Sequence, residues 1–282
     1  MTASSYECFT VEISDHIANV RLNRPEKANS MIPAFWKEFP AAITKISDDA
    51  EARVIVISSE GKHFTSGMDI SVFMEGDLDP HPDNPHISAE YFVHYYLASL
   101  QHTFSALEAA RQPVLTASQG GVLGAGVDLI TAADCRYASK DAFFCIQETV
   151  IGMTADVGTF PRLVKVIPEG WARQLAYTGE RLPADKAKEI GLVNEVFDDA
   201  QSLLDGVMDI ARKIAQHAPL AVTGCKRMIA YSRDHSTDDT LNHVAAWNAG
   251  MLRPEDIKES FTAKSEGRAP QYDSLKKVVR QT

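Results

Sequence analysis

The chain lacks the sequence features of exported and membrane proteins. Its 282 residues contain no apolar run of the roughly 18 residues that a membrane-spanning helix needs. Residues 1–10 show no basic stretch followed by an apolar one, so a secretory signal peptide is not indicated. The final residues, 279–282, do not match a peroxisomal targeting signal. We therefore expect a cytoplasmic protein without a membrane partner.

Cysteine is scarce, and the histidines are not arranged as metal ligands. The four cysteines are Cys8, Cys135, Cys145 and Cys225, with no C-x-x-C pair among them. This pattern indicates neither a disulfide framework nor a zinc site, and it favours small buried thiols. The nine histidines show no H-x-x-x-H spacing, so the sequence predicts no metal site.

An excess of positive charge is also missing. Lysine and arginine total 28 against 38 acidic residues, which gives a formal net charge of -10. Nucleic-acid binding usually needs a dense basic stripe, so we predict no nucleic-acid partner. The hydrophobic fraction of 45% and charged fraction of 23% are those of a globular protein with a packed core.

Short apolar strands alternate with helical stretches in the first part of the chain. The predicted strands are 6–13, 18–22, 54–58, 114–117 and 134–138, with a hairpin turn at 14–16. The predicted helices between them are 32–46, 89–110 and 126–133. Three prolines and several acids make 77–88 a loop. This alternation predicts an α/β fold with parallel strand pairing.

The strand signal fades after Val193, and 201–263 is almost entirely helical in pattern. This region contains large apolar side chains, among them Tyr231, Trp247 and Met251. A helical tail that exposes apolar residues often packs on another subunit, so it indicates an oligomer.

Small residues follow the predicted strand 54–58. Ser66 and Gly67 would let the backbone come close to a ligand, and Asp69 is placed to cap a following helix. By itself this stretch favours a strand-to-helix turn without a function.

A second candidate loop contains four glycines between Gly120 and Gly126, followed by an apolar helical stretch. The exposed amides of a helix N-terminus favour a developing negative charge. The spacing does not fit the dinucleotide motif G-x-G-x-x-G, and no ribose-binding acid follows. Together with the first loop, it could direct two backbone N–H groups at one oxygen.

Three carboxylates, Asp128, Glu148 and Asp156, have apolar neighbours in the sequence. Solvated or helix-capping acids remain the alternative for any one of them. Three such acids near an oxyanion-binding turn instead favour acid–base chemistry. His63 is the only histidine near these segments, and we interpret it as a loop residue.

The stretch 22–29, the Ser-Gly-Met-Asp-Ile turn at 66–70, the glycine run and the helical tail resemble the crotonase superfamily of enoyl-CoA hydratases and isomerases. The resemblance covers nearly the whole chain and is greatest to the Δ3,5-Δ2,4-dienoyl-CoA isomerases. In the hydratases, glutamates match Asp128 and Glu148, and glycine matches Asp156.

This resemblance implies a spiral of ββα turns with a C-terminal helical oligomerisation region. Residues 1–200 would form the core with the acyl-CoA site, and 201–282 would form the trimerisation region. The expected partner is an acyl-CoA thioester, with CoA entering as part of the substrate and no separate cofactor. The expected assembly is a homotrimer or homohexamer.

The resemblance also implies roles for individual residues. The backbone N–H groups of Met68 and Ala125 would form the oxyanion hole, although many relatives have glycine in place of Ala125. Glu148 and Asp156 would transfer protons, supported by Asp128. The substrate-binding positions would be Ser66, Gly67, Met68, Asp69, Ile70 and Ala125.

The implied function is the isomerisation of 3,5-dienoyl-CoA to 2,4-dienoyl-CoA in fatty-acid β-oxidation. The alternative on the same fold is an enoyl-CoA hydratase or a Δ3-Δ2-enoyl-CoA isomerase, and Asp156 argues against it. Two other classes are an RNA-binding relative and an inert structural oligomer. The net charge of -10 disfavours the first, and the three acids disfavour the second.

Overall fold

The computed structural model describes residues 2–74, 86 and 90–279, within which ten strands and eleven α-helices organise the chain. The strands are β1 Thr2–Ser5, β2 Phe9–Ser14, β3 Ile17–Leu22, β4 Val54–Ser59, β5 Val114–Ser118, β6 Gly121–Leu123, β7 Cys135–Ser139, β8 Phe143–Cys145, β9 Leu182–Pro183 and β10 Glu195–Phe197. The helices are α1 Pro33–Asp49, α2 Ser71–Met74, α3 Ala98–Ala109, α4 Ala125–Ala132, α5 Thr159–Leu163, α6 Glu169–Thr178, α7 Ala184–Glu189, α8 Ala200–Ala215, α9 Pro219–Ser232, α10 Thr237–Met251 and α11 Pro254–Glu266.

The predicted hairpin joins β2 and β3. Asp15 and His16 both have positive φ, +49° and +62°, as a two-residue turn of the I′ type requires. The strands pair antiparallel, with Phe9 opposite Leu22. The predicted strand 6–13 starts later than expected, because Tyr6 N–H donates to the Phe9 carbonyl (2.9 Å) in a turn after β1.

The main sheet has the order β1-β2-β3-β4-β5-β7-β10, and its strands from β3 to β10 are parallel neighbours. Strand β4 is buried on both faces, as its continuous apolar run predicts. Val54 and Val56 pack towards α8, whereas Ile55 and Ile57 belong to the core that contains α1 and α3. Successive side chains therefore serve two helical layers, one on each face of the sheet.

A second sheet, in the order β6-β8-β9, was not predicted. Its strands have two or three residues each, too few for an alternating pattern to be visible. It pairs Val122 of the glycine run with Phe144 and forms a further bridge from Val122 to Thr65. This small sheet brings the two predicted loops together.

The last part of the chain is helical, as predicted, but its first helix differs from the others. Leu203, Val207 and Ala211 of α8 are buried against the main sheet. Helices α9 to α11 instead carry several exposed apolar side chains. The division of the chain at residue 200 stays a prediction.

Three other predictions concern loops, cysteines and membrane segments. Apart from His86, the predicted loop 77–88 lies outside the described residues. The prediction of buried thiols was wrong for Cys225, which is exposed on α9, and only partly right for Cys135. No helix in the described part of the chain is long and apolar enough to cross a membrane.

Candidate active site

The first loop of the site follows β4 and is held by the segment that follows β3. Ser66 N–H donates to the Ala28 carbonyl (2.9 Å), and the Thr65 hydroxyl donates to the Asn29 carbonyl (2.7 Å). The same hydroxyl accepts a hydrogen bond from Gly67 N–H (3.1 Å). These bonds fix the loop and occupy the amides of its first residues.

Met68 presents the free amide of this loop. On either side of it, Met31 N–H donates to the Gly67 carbonyl (2.8 Å), and Asp69 N–H donates to the Met31 carbonyl (3.0 Å). The N–H of Met68 itself has no acceptor within residues 2–74 and 90–279. A backbone donor without a protein partner needs water or a ligand, so this amide is available for binding.

Ala125 provides a second amide. It is the first residue of α4, so its N–H has no acceptor within the helix. The turn before it is tied to β8, because Gly124 N–H donates to the Cys145 carbonyl (3.0 Å). A Cβ on Gly67 would lie 3.1 Å from the Ala125 nitrogen, so the second amide adjoins the loop that carries the first.

Parallel pairing of β6 and β8 brings Glu148 to this turn. Leu123 pairs with Cys145 at the ends of the two strands, so the residues that follow leave the sheet at the same edge. Glu148 then begins a short 3-10 turn. A Cβ on Gly124 would lie 3.3 Å from Glu148 Oε1, which places the carboxyl group directly beside the turn that precedes Ala125.

The carboxyl group of Glu148 is only partly compensated by the protein. Its Oε2 is buried and has no hydrogen-bond partner in the described part of the chain. Burial raises the pKa of Glu148, and the negative charge of Asp156 raises it further, while backbone hydrogen bonds from Glu148 and Gln147 oppose this. This carboxyl group therefore holds a proton at a higher pH than an exposed glutamate does.

Asp128, on α4, is the most deeply buried of the three acids, with 1% of its surface exposed. Its Oδ1 has no hydrogen-bond partner within the described residues. Burial, helped by the charge of Glu148, raises the pKa of Asp128 to about 7, against the opposing effects of Thr159 and Arg162. Asp128 therefore changes charge near neutral pH.

We expect Asp128→Asn to gain stability relative to the unmodified protein as pH rises from about 4 to about 8. An aspartate with a pKa of about 7 in the folded chain stays protonated there at pH values where the unfolded chain, with a pKa near 3.9, has released its proton. The free energy of unfolding of the unmodified protein therefore falls as pH rises between those two pKa values, by about 4 kcal/mol in total. Urea unfolding of both proteins across this pH range measures the difference.

Asp15→Asn is the matched control, because Asp15 lies in an exposed turn and asparagine tolerates its positive φ. This control should track the unmodified protein at every pH. A stability difference between Asp128→Asn and the unmodified protein that does not depend on pH would contradict the assignment of Asp128 as a buried acid that titrates near neutrality.

Asp156 lies in the loop between the 3-10 turn and α5. Its carbonyl oxygen accepts a hydrogen bond from Gln101 Nε2 on α3 (2.8 Å). Burial raises the pKa of Asp156 above its ordinary value. Because its charge acts on Glu148, and that of Glu148 acts on Asp128, the three predicted acids form one electrostatically coupled cluster.

The remaining predicted substrate-binding residues surround the first loop. Asp69 caps α2 as expected, since its Oδ1 accepts from Ser71 N–H (3.1 Å), while its Oδ2 accepts from the Ser30 hydroxyl (2.6 Å). The hydrogen bonds from Ser30 and Ser71 lower the pKa of Asp69. Ile70 is 74% exposed, and Ser66 is half-buried. Their roles in binding stay predictions.

Sequence reasoning missed three residues that shape the site. The Asn29 side chain donates to the carbonyls of Glu60 and His63 (2.9 Å each), which joins the two segments behind the first loop. Thr159 lies next to Asp128, where its side chain and backbone oppose the rise in the pKa of that acid. The third, an arginine on α5, is considered below. The sequence feature that could have indicated α5 was the start of a helix at Thr159.

His63 lies in a loop, as predicted, and its side chain also has a structural contact. Its Nδ1 accepts a hydrogen bond from Gly121 N–H (2.9 Å), which connects the loop to the glycine run. Within residues 2–74 and 90–279, no three histidine, cysteine or acidic side chains are grouped so that they could hold a metal ion.

Comparisons with known proteins give the same family along most of the chain. Residues 12–275 match the family model described as Enoyl-CoA hydratase/isomerase. The chain is 40% identical over 266 residues to the human mitochondrial Delta(3,5)-Delta(2,4)-dienoyl-CoA isomerase, covering 94% of this chain and 81% of that protein. It is 36% identical over 280 residues to the peroxisomal isomerase of the same name from Arabidopsis thaliana, covering 98% of this chain and 100% of that protein.

A solved structure supports the fold. The enoyl-CoA hydratase from Bacillus anthracis superposes with a TM-score of 0.84 at 29% identity, covering 94% of this chain and 99% of that one. The predicted α/β fold of the crotonase type is therefore confirmed.

Proposed function

The chain belongs to the enoyl-CoA hydratase/isomerase family, and within it we propose that the protein isomerises 3,5-dienoyl-CoA to 2,4-dienoyl-CoA in fatty-acid oxidation. The observation that carries this proposal is a third, half-buried acid, Asp156, coupled to the two acids beside a pair of available amides. The names of the human and Arabidopsis relatives support the same activity.

The two amides would stabilise the charge that forms when the substrate loses a proton. Removal of a C2 proton from a 3,5-dienoyl thioester places negative charge on the thioester oxygen and, by conjugation, along the chain to C6. Hydrogen bonds from the N–H groups of Met68 and Ala125 would hold that oxygen. One donor of this kind is worth roughly 3–4 kcal/mol to the transition state.

The acids would move the proton. Glu148, beside the amide pair, would take the proton from C2, and Asp156 would deliver one to C6, which leaves double bonds at C2 and C4. The two groups must start in opposite protonation states, and mutual repulsion in a buried cluster favours that arrangement. Asp128 would support the pair through its charge.

The alternative is an enoyl-CoA hydratase or a Δ3-Δ2-enoyl-CoA isomerase on the same fold. A hydratase holds its water between two acids, and it has no need of the third. The half-buried position and raised pKa of Asp156 favour the dienoyl isomerase.

The decisive assay supplies purified protein with 3,5-dienoyl-CoA and follows the absorbance of the conjugated 2,4-diene. We expect rapid appearance of that product. Hydration of a 2-enoyl-CoA without any conversion of the diene would instead establish the alternative.

Replacing Gly67 by alanine is expected to obstruct the amide pair and to lower isomerase turnover about 10²–10³-fold. Gly67 has a φ of +83°, and its Cβ would lie 2.7 Å from the Leu123 carbonyl oxygen. Both the turn and the spacing of the two loops would have to change. The diene assay measures the loss.

Gly170→Ala is the matched control, since a Cβ there meets nothing within 4 Å. It should retain full activity. If Gly67→Ala folds and isomerises at the normal rate, the amides of Met68 and Ala125 do not form the oxyanion hole.

We further propose that α9 to α11 assemble the protein into a homotrimer or homohexamer. These helices, together with Leu252 directly after α10, carry large apolar side chains that are between 44% and 72% exposed: Ile229, Leu241, Met251, Leu252, Ile257 and Phe261. A cavity of about 540 Å³ lies among them, beside Trp247. A second copy of the chain would remove this surface from water.

Sedimentation analysis is expected to give three or six times the chain mass of 31.0 kDa. Phe261→Asp should lower the assembly state, because a charge would replace an apolar side chain in the interface. Tyr177→Asp, at an exposed position on α6, should leave it unchanged. A stable monomer at micromolar concentration would contradict this proposal.

CoA would enter as part of the substrate, with no separate cofactor. The cytoplasm stays a prediction for the compartment, since the relatives named above are mitochondrial and peroxisomal proteins. Microscopy of the tagged protein in its own cell would decide this.

A further inference from the structure

Arg162 on α5 lines the same cavity as Asp156, and its guanidinium is fixed by α3. Its side chain is only 11% exposed. Nε and Nη2 both donate to Glu108 Oε2 (2.9 and 2.7 Å), and Nη2 also donates to the Ser105 hydroxyl (3.0 Å). Several charge-assisted bonds to a planar group set its orientation as well as its position.

The other end of the guanidinium lies against Gly158. A Cβ on that residue would lie 1.9 Å from Arg162 Nη1, and Gly158 has a φ of +133°. The arginine therefore occupies the space that any other side chain at 158 would need. Gly158 and Asp156 belong to the same loop, and Gln101 holds the Asp156 carbonyl. Two side chains thus support this loop, Gln101 from α3 and Arg162 from α5.

The positive charge of Arg162 also acts on the buried Asp128, where it opposes the effects of burial and of Glu148. The other charged groups around Arg162 largely neutralise one another. Lys165 pairs with Asp234, and Arg233 Nη1 lies 3.8 Å from Glu108 Oε1. Asp156 is the remaining charged residue, besides Arg162 itself, that lines the adjoining cavity.

We propose that Arg162 is a positioning residue for proton transfer, because it braces the loop that carries Asp156 and presents a fixed positive charge to Asp128. This inference rests on the proposed isomerase function. A displacement of a reacting group by about 1 Å costs about 10²-fold in rate. Loss of the brace should therefore lower kcat rather than weaken substrate binding.

The surroundings of Arg162 permit a test by chemical rescue. A cavity of about 510 Å³ adjoins the guanidinium and is lined by side chains that hold it, including Ser105 and Glu108. If Arg162 is shortened to alanine, a small guanidinium ion from solution has both the space and the hydrogen-bond acceptors to replace the missing group.

In the diene assay, Arg162→Ala is expected to lower kcat about 10²-fold, with KM changed only a few-fold. Millimolar ethylguanidinium should restore part of that loss. Arg162→Lys should lose a similar amount without rescue, because lysine keeps the charge but not the planar fork. Arg173→Ala, at an exposed arginine, is the matched control and should show neither loss nor rescue.

A second measurement does not depend on activity. Removing the cation should make ionisation of Asp128 more costly, so Arg162→Ala should lose more stability than the unmodified protein as pH rises. When Arg162→Ala is combined with Asp128→Asn, this extra pH dependence of stability should disappear. If Arg162→Ala does not fold, Arg162→Lys and its KM and kcat values take its place in the activity test.

The outcomes separate the two proposals. Arg162→Ala could change the pH dependence of stability as expected while the unmodified protein fails to convert the diene. This result would refute the isomerase function, but the role of Arg162 as a brace would stand. An active protein whose Arg162→Ala variant keeps kcat within a few-fold overturns the inference. So does a loss of activity with neither rescue nor altered pH dependence, because Arg162 would then be merely structural.

Discussion

Asp156→Asn is expected to lose the conversion of 3,5-dienoyl-CoA by about 10²–10⁴-fold while still binding the acyl-CoA. The proton must be delivered at C6, several carbons from the position where Glu148 would abstract it. Asparagine keeps the shape of the side chain but has no acidic proton to give. Steady-state kinetics with the diene, together with a binding titration, measure the two effects separately.

The same variant should retain the first half of the reaction. Glu148 and the amides of Met68 and Ala125 remain, so the C2 proton should still exchange with deuterated solvent. Mass spectrometry of recovered substrate would detect that exchange. Asp15→Asn, at an exposed turn, should isomerise normally. Normal isomerisation by Asp156→Asn would make Asp156 structural and would remove it from the proposed proton transfer.

Much of the fold could be predicted because its signals are local. The apolar run of β4 predicts a strand buried on both faces, and that strand lies at the centre of the sheet. Asp15 and His16 predict a hairpin turn, and they form one with two positive φ angles. These features depend on neighbouring residues alone, and a single sequence contains them.

The features that could not be predicted depend on contacts between distant residues. The pairing of β6 with β8 places Glu148 beside Gly124, but each strand has only three residues and no alternation. Arg162 is buried by Glu108, 54 positions away, so its sequence neighbourhood gives no sign of its partners. Helix α8 has the pattern of the helical tail, and only the sheet beneath it explains its burial.

The acid cluster lies between these two cases. Apolar neighbours in the sequence predicted that Asp128, Glu148 and Asp156 are unusual acids, and all three have raised pKa values. Which acid is buried most, and which ones interact, follows from the packing of α4 and α5. The three acids could therefore be identified from the sequence, whereas the structure was needed to rank them by burial.

Glu148→Gln is expected to nearly abolish isomerisation, with a loss of about 10²–10⁴-fold in kcat and an intact fold. Glutamine preserves the shape of the side chain beside Gly124, but it cannot accept the C2 proton. Both isomerisation and solvent exchange at C2 should disappear, in contrast to Asp156→Asn, because the reaction would stop before the enolate forms. Kinetics and deuterium exchange on the two variants, run side by side, test this difference.

Glu12→Gln is the matched control, since Glu12 is exposed on β2, and it should keep full activity. A pH profile adds an independent check: because burial raises the pKa of Glu148, the base is protonated and inactive at low pH, and activity should rise with pH through that raised pKa. Activity of Glu148→Gln within a few-fold of the unmodified protein would remove Glu148 from the reaction. Continued C2 exchange in that variant would point to Asp128, whose carboxyl is coupled to that of Glu148, as the base instead.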